Sequence, residues 1–453
     1  MRRALRCVFT GATGILAVGA AFPHTGAPAD CNATAGLNTA NKSAAVAFQF
    51  DEPATILSTQ DMDRVGLMFP DGMLGFVRQR GRDPDYVFGS AGSFGGVGGS
   101  AHLPTGSYTF SGALESFHPA YRKNGWPIWS LTSGRTQPSP DGADFDRDYA
   151  GGGPTYSVAM RNNGAMADDM CARAALSPIR STTRRDILLQ IYHGEYYPLA
   201  PKSMPAYGGS GMAISCDGGV TFEKIGQILA PHVSREEFLS AHGATGLWAD
   251  GTMIEADGLA ERGCATPAGG AQREQYYYLV FTDHNSPEER YTGLSIARVS
   301  ADDLLKAIRQ RRAPVFRKYY NPEGAPTFAA NYFTEPGIGG RSTSILFTPG
   351  QYMNSPGVMY DAYMHRFVLF YQTNQKQVEL RTSKNLISWS PPTTAFRLDA
   401  ASSRRVYYPS AVGDGSDPQA LDQMFYIYFV VRERTPGRFT NPQLLRERVS
   451  ITR

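Results

Sequence analysis

The chain is patterned in short apolar runs of strand length, separated by Gly, Pro, Asn and Asp, and these runs recur in a fixed order. The clearest unit comprises Gly357–Asp361, Arg366–Thr373 and Val378–Ser383, read as three successive strands, with a short outer strand near Trp389. The same order returns at Tyr408–Val412, Met424–Val431 and Leu444–Ile451. Nearer the N-terminus it occurs at Gly251–Glu255, Tyr276–Thr282 and Gly293–Arg298. Before that come Thr155–Met160, Ile187–Tyr192, Gly211–Ser215 and Val220–Ile228. The first unit, Met73–Val77, Asp85–Phe88 and Ser107–Phe110, is the faintest. The second strand of each later unit is almost continuously apolar, as expected of a strand covered on both faces. One helix is predicted over Ser300–Arg312, with Ser300 as cap and Asp302 and Asp303 in the first turn. Residues 130–150 and 313–350 read as long loops. Five antiparallel units in series predict an all-β chain, a five-bladed β-propeller with long loop insertions and one short helix.

That topology sorts the polar residues. First and second strands of a unit run antiparallel, so the start of one and the end of the other share a mouth of the central channel. Starts of first strands supply Asp71, Asp148, Asp250 and Tyr408-Pro409, with Trp248 close by. Ends of second strands supply His193-Gly194-Glu195, Asp283-His284 and Arg432. Asp257 and Asp361 fall at the opposite mouth. Converging carboxylates beside aromatic, His and Arg side chains suit a sugar, because one carboxyl can be held protonated as general acid and another ionised as base.

Composition adds the compartment. Arg2, Arg3 and Arg6, an apolar stretch to Phe22 and small residues after it read as a secretory signal peptide over residues 1–30, leaving a single domain over 31–453 and a secreted protein, extracellular or periplasmic. Cys31, Cys171, Cys216 and Cys264 then form an even set in an oxidising compartment, compatible with two disulfides in any of three pairings. A net charge of +3 on 453 residues points to neither nucleic acid nor an anionic membrane, and no later stretch is long and apolar enough for a membrane span. A Ser-His-Asp hydrolase is disfavoured by the lack of a Gly-x-Ser-x-Gly elbow.

Several motifs carry a family resemblance. Phe69-Pro70-Asp71-Gly72, followed by a strand and Asp85-Tyr86-Val87-Phe88, resembles the opening blade of the five-bladed glycoside hydrolases of the family 43 arabinanase and xylosidase type. Ser383-Lys384-Asn385-Leu386-Ile387-Ser388-Trp389 is similar to their outer-strand Ser-x-Asp-Leu-x-x-Trp signature, with Asn385 in place of Asp. Ser215-Cys216-Asp217-Gly218-Gly219-Val220-Thr221-Phe222 looks like the Asp box of sialidases, a turn device in which Asp217 holds backbone. The resemblance implies a polysaccharide or oligosaccharide substrate, no cofactor, and Asp71 as general base. It places a Glu acid in blade three, where this chain offers Asp250. Glu195 is therefore the candidate acid, since Tyr192, His193, Tyr196 and Tyr197 can desolvate it. His193, Trp248, Asp283, His284, Tyr408 and Arg432 are candidate substrate contacts, and Asp283-His284-Asn285 also suits a structural calcium ion. The expected activity is hydrolysis of a furanose- or pentose-containing polysaccharide. A sialidase-like enzyme and a non-catalytic carbohydrate-binding propeller are the alternatives.

Overall fold

The computed structural model describes residues 47–60, 67–70, 73, 75–78, 86–94, 106–112, 128–129, 131–133, 156–163, 187–196, 207–215, 221–232, 251–257, 275–283, 293–324, 332–335, 339–414, 420–435 and 438–452. The expected signal peptide and all four later cysteines lie outside this set.

In chain order, β1 (Ala47–Phe50) and β2 (Ala54–Leu57) are followed by β3 (Leu67–Pro70), β4 (Gly75–Arg78), β5 (Tyr86–Phe94), β6 (Gly106–Gly112) and β7 (Ile128–Trp129). Next come β8 (Leu131–Ser133), β9 (Tyr156–Asn163), β10 (Ile187–Tyr196), β11 (Tyr207–Ser215) and β12 (Thr221–Leu229). Then β13 (Gly251–Asp257), β14 (Gln275–Asp283) and β15 (Gly293–Ser300) precede helix α1 (Ala301–Arg309) and β16 (Arg317–Lys318). The C-terminal part holds β17 (Met353–Asp361), β18 (Arg366–Thr373), β19 (Gln377–Ser383), β20 (Thr393–Arg397), β21 (Arg404–Gly413), β22 (Ala420–Leu421), β23 (Met424–Thr435) and β24 (Arg438–Thr452).

Among the described residues these strands form five sheets. The first is built on β3–β7, the second on β8–β12, the third on β13–β16, the fourth on β17–β20 with β22, and the fifth on β21, β23 and β24 with β1 and β2. Consecutive sheets touch through their first strands: β9 lies beside β4 and β5, β13 beside β9, β17 beside β13, and β21 beside β17. Contact between β24 and β3 brings the last sheet back to the first.

The apolar core lies between sheets. On β14, Tyr277, Leu279 and Phe281 join Leu189, Ile191, Met212 and Ile214 of the second sheet. The alternate residues Tyr278 and Val280 join Phe367, Leu369 and Tyr371 of β18. Val368 and Phe370 of β18 face the other way, into a cluster with Phe425, Ile427 and Phe429. Successive strand residues point to opposite faces, so a strand sandwiched between two neighbours must be apolar throughout. Burial fades outward: every residue of β18 after Arg366 is buried, while β20 is half-buried to exposed.

The helix ends earlier than its pattern suggested, at Arg309, with Ser300 Oγ accepting from Asp303 N at 3.1 Å as its cap. The outer strand of the fourth sheet is β20, beyond Trp389. Trp389 instead packs against the cluster between the third and fourth sheets. Before it, Ser383 Oγ accepts from Asn385 N and Leu386 N, and Asn385 Oδ1 accepts from Ile387 N and Ser388 N. The two stretches read as loops carry the short strands β8 and β16. The N-terminal strands were not anticipated. β1 pairs with β24 from Ala47↔Thr452 to Phe50↔Val449, a closure between chain ends that no local pattern announces.

Candidate functional site

Strand direction is as the repeat count required. Met353 pairs with Thr373, Arg405 with Arg432, Gly251 with Phe281 and Tyr156 with His193, so these residues stand at one end of their sheets. At the other end Asp257 pairs with Gln275 and Asp361 with Arg366. Asp361 is fully buried and accepts from Met364 N at 2.7 Å, which makes it a turn residue.

His193 and Glu195 lie within β10 rather than beyond it, opposite Ser210 and Gly208. Gly209 faces Gly194 and Gly211 faces Tyr192, so the neighbouring strand offers glycine backbone at three of these positions. Glycine in a strand interior commonly marks a place where another group approaches the backbone closely. Asp71, Trp248, Asp250 and His284 lie outside the described residues. Asp283 closes β14, is 4% exposed, and accepts from Ser342 Oγ at 2.6 Å. Ser342 Oγ also lies 3.2 Å from Ser295 Oγ, so Asp283 is tied to the loop entering the fourth sheet. Among the described residues no group of three His, Cys, Asp or Glu could hold a metal ion.

Tyr408 and Arg432 belong to the fifth sheet. Arg432 is 4% exposed, with its guanidinium 4.0 Å from the Tyr407 ring centroid, and the Tyr407 and Tyr408 rings are 5.7 Å apart. Its sequence neighbour Glu433 accepts from Asn441 Nδ2 at 3.0 Å. Arg432, a candidate substrate contact, is thus a buried guanidinium on an aromatic face.

The repeat also contains a shared irregularity. Between Asn354↔Gln372 and Gly357↔Phe370, Ser355 and Pro356 face Tyr371 alone. Between Tyr407↔Val430 and Ser410↔Tyr428, Tyr408 and Pro409 face Phe429 alone. Ser355 and Tyr408 are both left-handed, at φ 52° and 56°. Such a conformation costs a non-glycine residue about 1–3 kcal/mol and persists where the surroundings over-determine it. In the first sheet the pairing with β5 passes from Pro70↔Gly92 on β3 to Gly75↔Gly89 on β4. The first strands of the fourth and fifth sheets begin ahead of Ser355 and Tyr408, at Met353 and Arg404, because each bulge interrupts a strand that the sequence pattern resumes only after it.

Around the Ser355 bulge stand polar residues that sequence reasoning missed. Asn354 Oδ1 accepts from Thr282 Oγ1 at 3.0 Å and from Ser355 N at 2.7 Å, joining the third and fourth sheets at this end. Ser355 Oγ, Thr373 Oγ1 and the Gln372 amide are buried with no hydrogen-bond partner among the described residues. The Ser-Pro and Tyr-Pro dipeptides were the sequence signal for this region.

A tyrosine flanked by a carboxylate and a guanidinium exists nearby. Tyr371 Oη donates to Glu379 Oε2 at 2.7 Å and accepts from Arg381 Nε at 2.8 Å. It is fully buried between the third and fourth sheets, and burial above all raises the phenol above its ordinary range. It is thus no candidate for the exposed nucleophile that the sialidase alternative requires.

No protein-family model matches the chain, and no curated protein matches its sequence. Solved structures are similar to it in shape at low identity. A protein of unknown function from Dyadobacter fermentans aligns over 89% of this chain and 99% of its own, with 11% identity and a TM-score of 0.41. The catalytic domain of the GH62 α-L-arabinofuranosidase of Coprinopsis cinerea aligns over 89% and 97%, with 8% identity and a TM-score of 0.41. An α-L-arabinofuranosidase of Fusarium graminearum with an iminosugar inhibitor aligns over 71% and 67%, with 12% identity and a TM-score of 0.33.

Proposed function

We propose that the five sheets are blades of a five-bladed β-propeller and that the protein is an exported glycoside hydrolase acting on a furanose- or pentose-containing polysaccharide. In this reading Asp71 is the general base, Glu195 the general acid, and Asp250 a third carboxyl of the same mouth. The observation that carries the reading is the position of Glu195. It stands with His193 at the end of β10 that shares a mouth with the first-strand bulges, facing a strand of glycines. Asp71 follows β3 directly in the chain, at the start of the first-strand run of its unit. Two carboxyls across one cleft can divide the roles of acid and base. No membrane-crossing helix occurs among the described residues.

The test is release of sugars from arabinan, xylan and arabinogalactan by the purified protein. Glu195→Gln and Asp71→Asn are each expected to abolish release while glycan binding and the circular dichroism spectrum are retained. Full activity in both variants would overturn this site. Glycan binding without any release by the unmodified protein would establish the non-catalytic alternative.

A further inference from the structure

The turn between β18 and β19 and the start of β21 meet at the same end of the sheets as the candidate site. Asn374 and Gln375 are both left-handed, at φ 51° and 55°, and the turn they form is stitched on two sides. Leu398 N donates to Lys376 O and Val406 N to Gln375 O, each at 2.9 Å. This fixes Lys376 against the strand that begins at Arg404.

The charges that result are unusual. Lys376 Nζ donates to Ser402 O at 2.5 Å and to Arg404 O at 3.1 Å. Arg405 Nη1 donates to the same two carbonyls, at 3.2 and 2.9 Å. Two half-buried cations therefore share their acceptors, and among the described residues neither forms an ion pair. Asp399 accepts from Lys376 through its backbone carbonyl, at 3.4 Å, and its carboxylate acts on the ammonium by charge alone. Arg404 is held by Gln443 and Arg397 by Gln377, again with amide rather than carboxylate partners. Arg432 pairs directly across the sheet from Arg405. Like charges held on the same acceptors repel, so the Lys376–Arg405 pair gains from an anion supplied from outside. Lys376 is held below its ordinary range by burial and, next, by Arg405, against a smaller opposing pull from Asp399.

We propose that Lys376 and Arg405 form a subsite for the carboxylate of an acidic sugar, so that the polysaccharide engaged carries uronic acid residues. This rests on the carbohydrate-acting reading above. Arg405 offers the planar fork that matches a carboxylate, and Lys376 adds a point charge beside it. Neighbouring Arg432, stacked on Tyr407, extends the positive potential towards Tyr408.

The test compares binding of the whole protein to polygalacturonate, to the same polymer fully methyl-esterified, and to neutral arabinan. The charge-assisted hydrogen bonds gained with the free acid give an expected preference of about tenfold or more, declining between about 50 and 300 mM salt. Arg405→Gln and Lys376→Gln should each remove most of that preference while arabinan binding and the circular dichroism spectrum are retained. Equal binding of acid and ester, or an undiminished preference in both variants, would overturn the subsite. Binding of arabinan without any preference for the acid defeats this inference alone. Failure to bind any of the three polymers defeats the carbohydrate reading with it.

Discussion

Glu447→Gln should stabilise the protein at neutral pH and leave it nearly unchanged in mild acid. Glu447 lies on β24 opposite Ile427, 2% exposed, in step with Leu445, Val449 and Ile451, which belong to the cluster between the last two sheets. Its Oε2 has no hydrogen-bond partner among the described residues. Burial, then the charges of Glu52 and Asp51 on the β1–β2 connection, push the carboxyl from 4.5 up to about 8. The folded protein thus keeps this proton up to about pH 8, whereas the unfolded chain releases it near pH 4.5. Stability from this group is complete below pH 4.5 and is lost as pH rises towards 8. At about 1.4 kcal/mol per pH decade, the loss reaches about 3 kcal/mol at pH 7 and levels off near 5 kcal/mol above pH 8. Gln fills the same space and cannot ionise, so the gap between variant and parent should open by these amounts. Urea unfolding at pH 5, 7 and 8.5 at constant ionic strength measures it, since all other titrating groups are common to both proteins. Parallel pH profiles would refute the reasoning.

Gly357→Ala should destabilise the fourth sheet, because the added Cβ would stand 1.8 Å from Phe370 Cε2; a loss of about 1–3 kcal/mol is expected in urea, with partial recovery when Phe370→Leu is added. Lys318→Met should cost about 2 kcal/mol: Lys318 is 1% exposed and donates to Ala230 O at 2.6 Å and Gly340 O at 2.8 Å, two carbonyls left without that donor by the change. An unchanged urea midpoint would show that relief of the buried charge offsets the lost bonds.

The sequence alone determined the strand units, because a strand buried on both faces must be apolar at every position, and Arg366–Thr373 was legible to the residue for that reason. It also determined the cap of α1, whose bond joins residues three apart. Strand direction followed from the count of units, and with it the end of the sheets where Glu195, Asp283, Tyr408 and Arg432 stand. Tertiary structure alone decided what those residues meet. Asp283 is claimed by Ser342, Arg432 by Tyr407, and Lys376 and Arg405 come together over shared carbonyls. The left-handed bulges at Ser355 and Tyr408 depend on register with a neighbouring strand, and closure of β1 on β24 joins opposite ends of the chain. Local pattern reports how each segment is buried, whereas partners, register and charge balance are set by segments distant in sequence. The repeated units were therefore readable from the chain, and the cationic subsite beside their mouth was not.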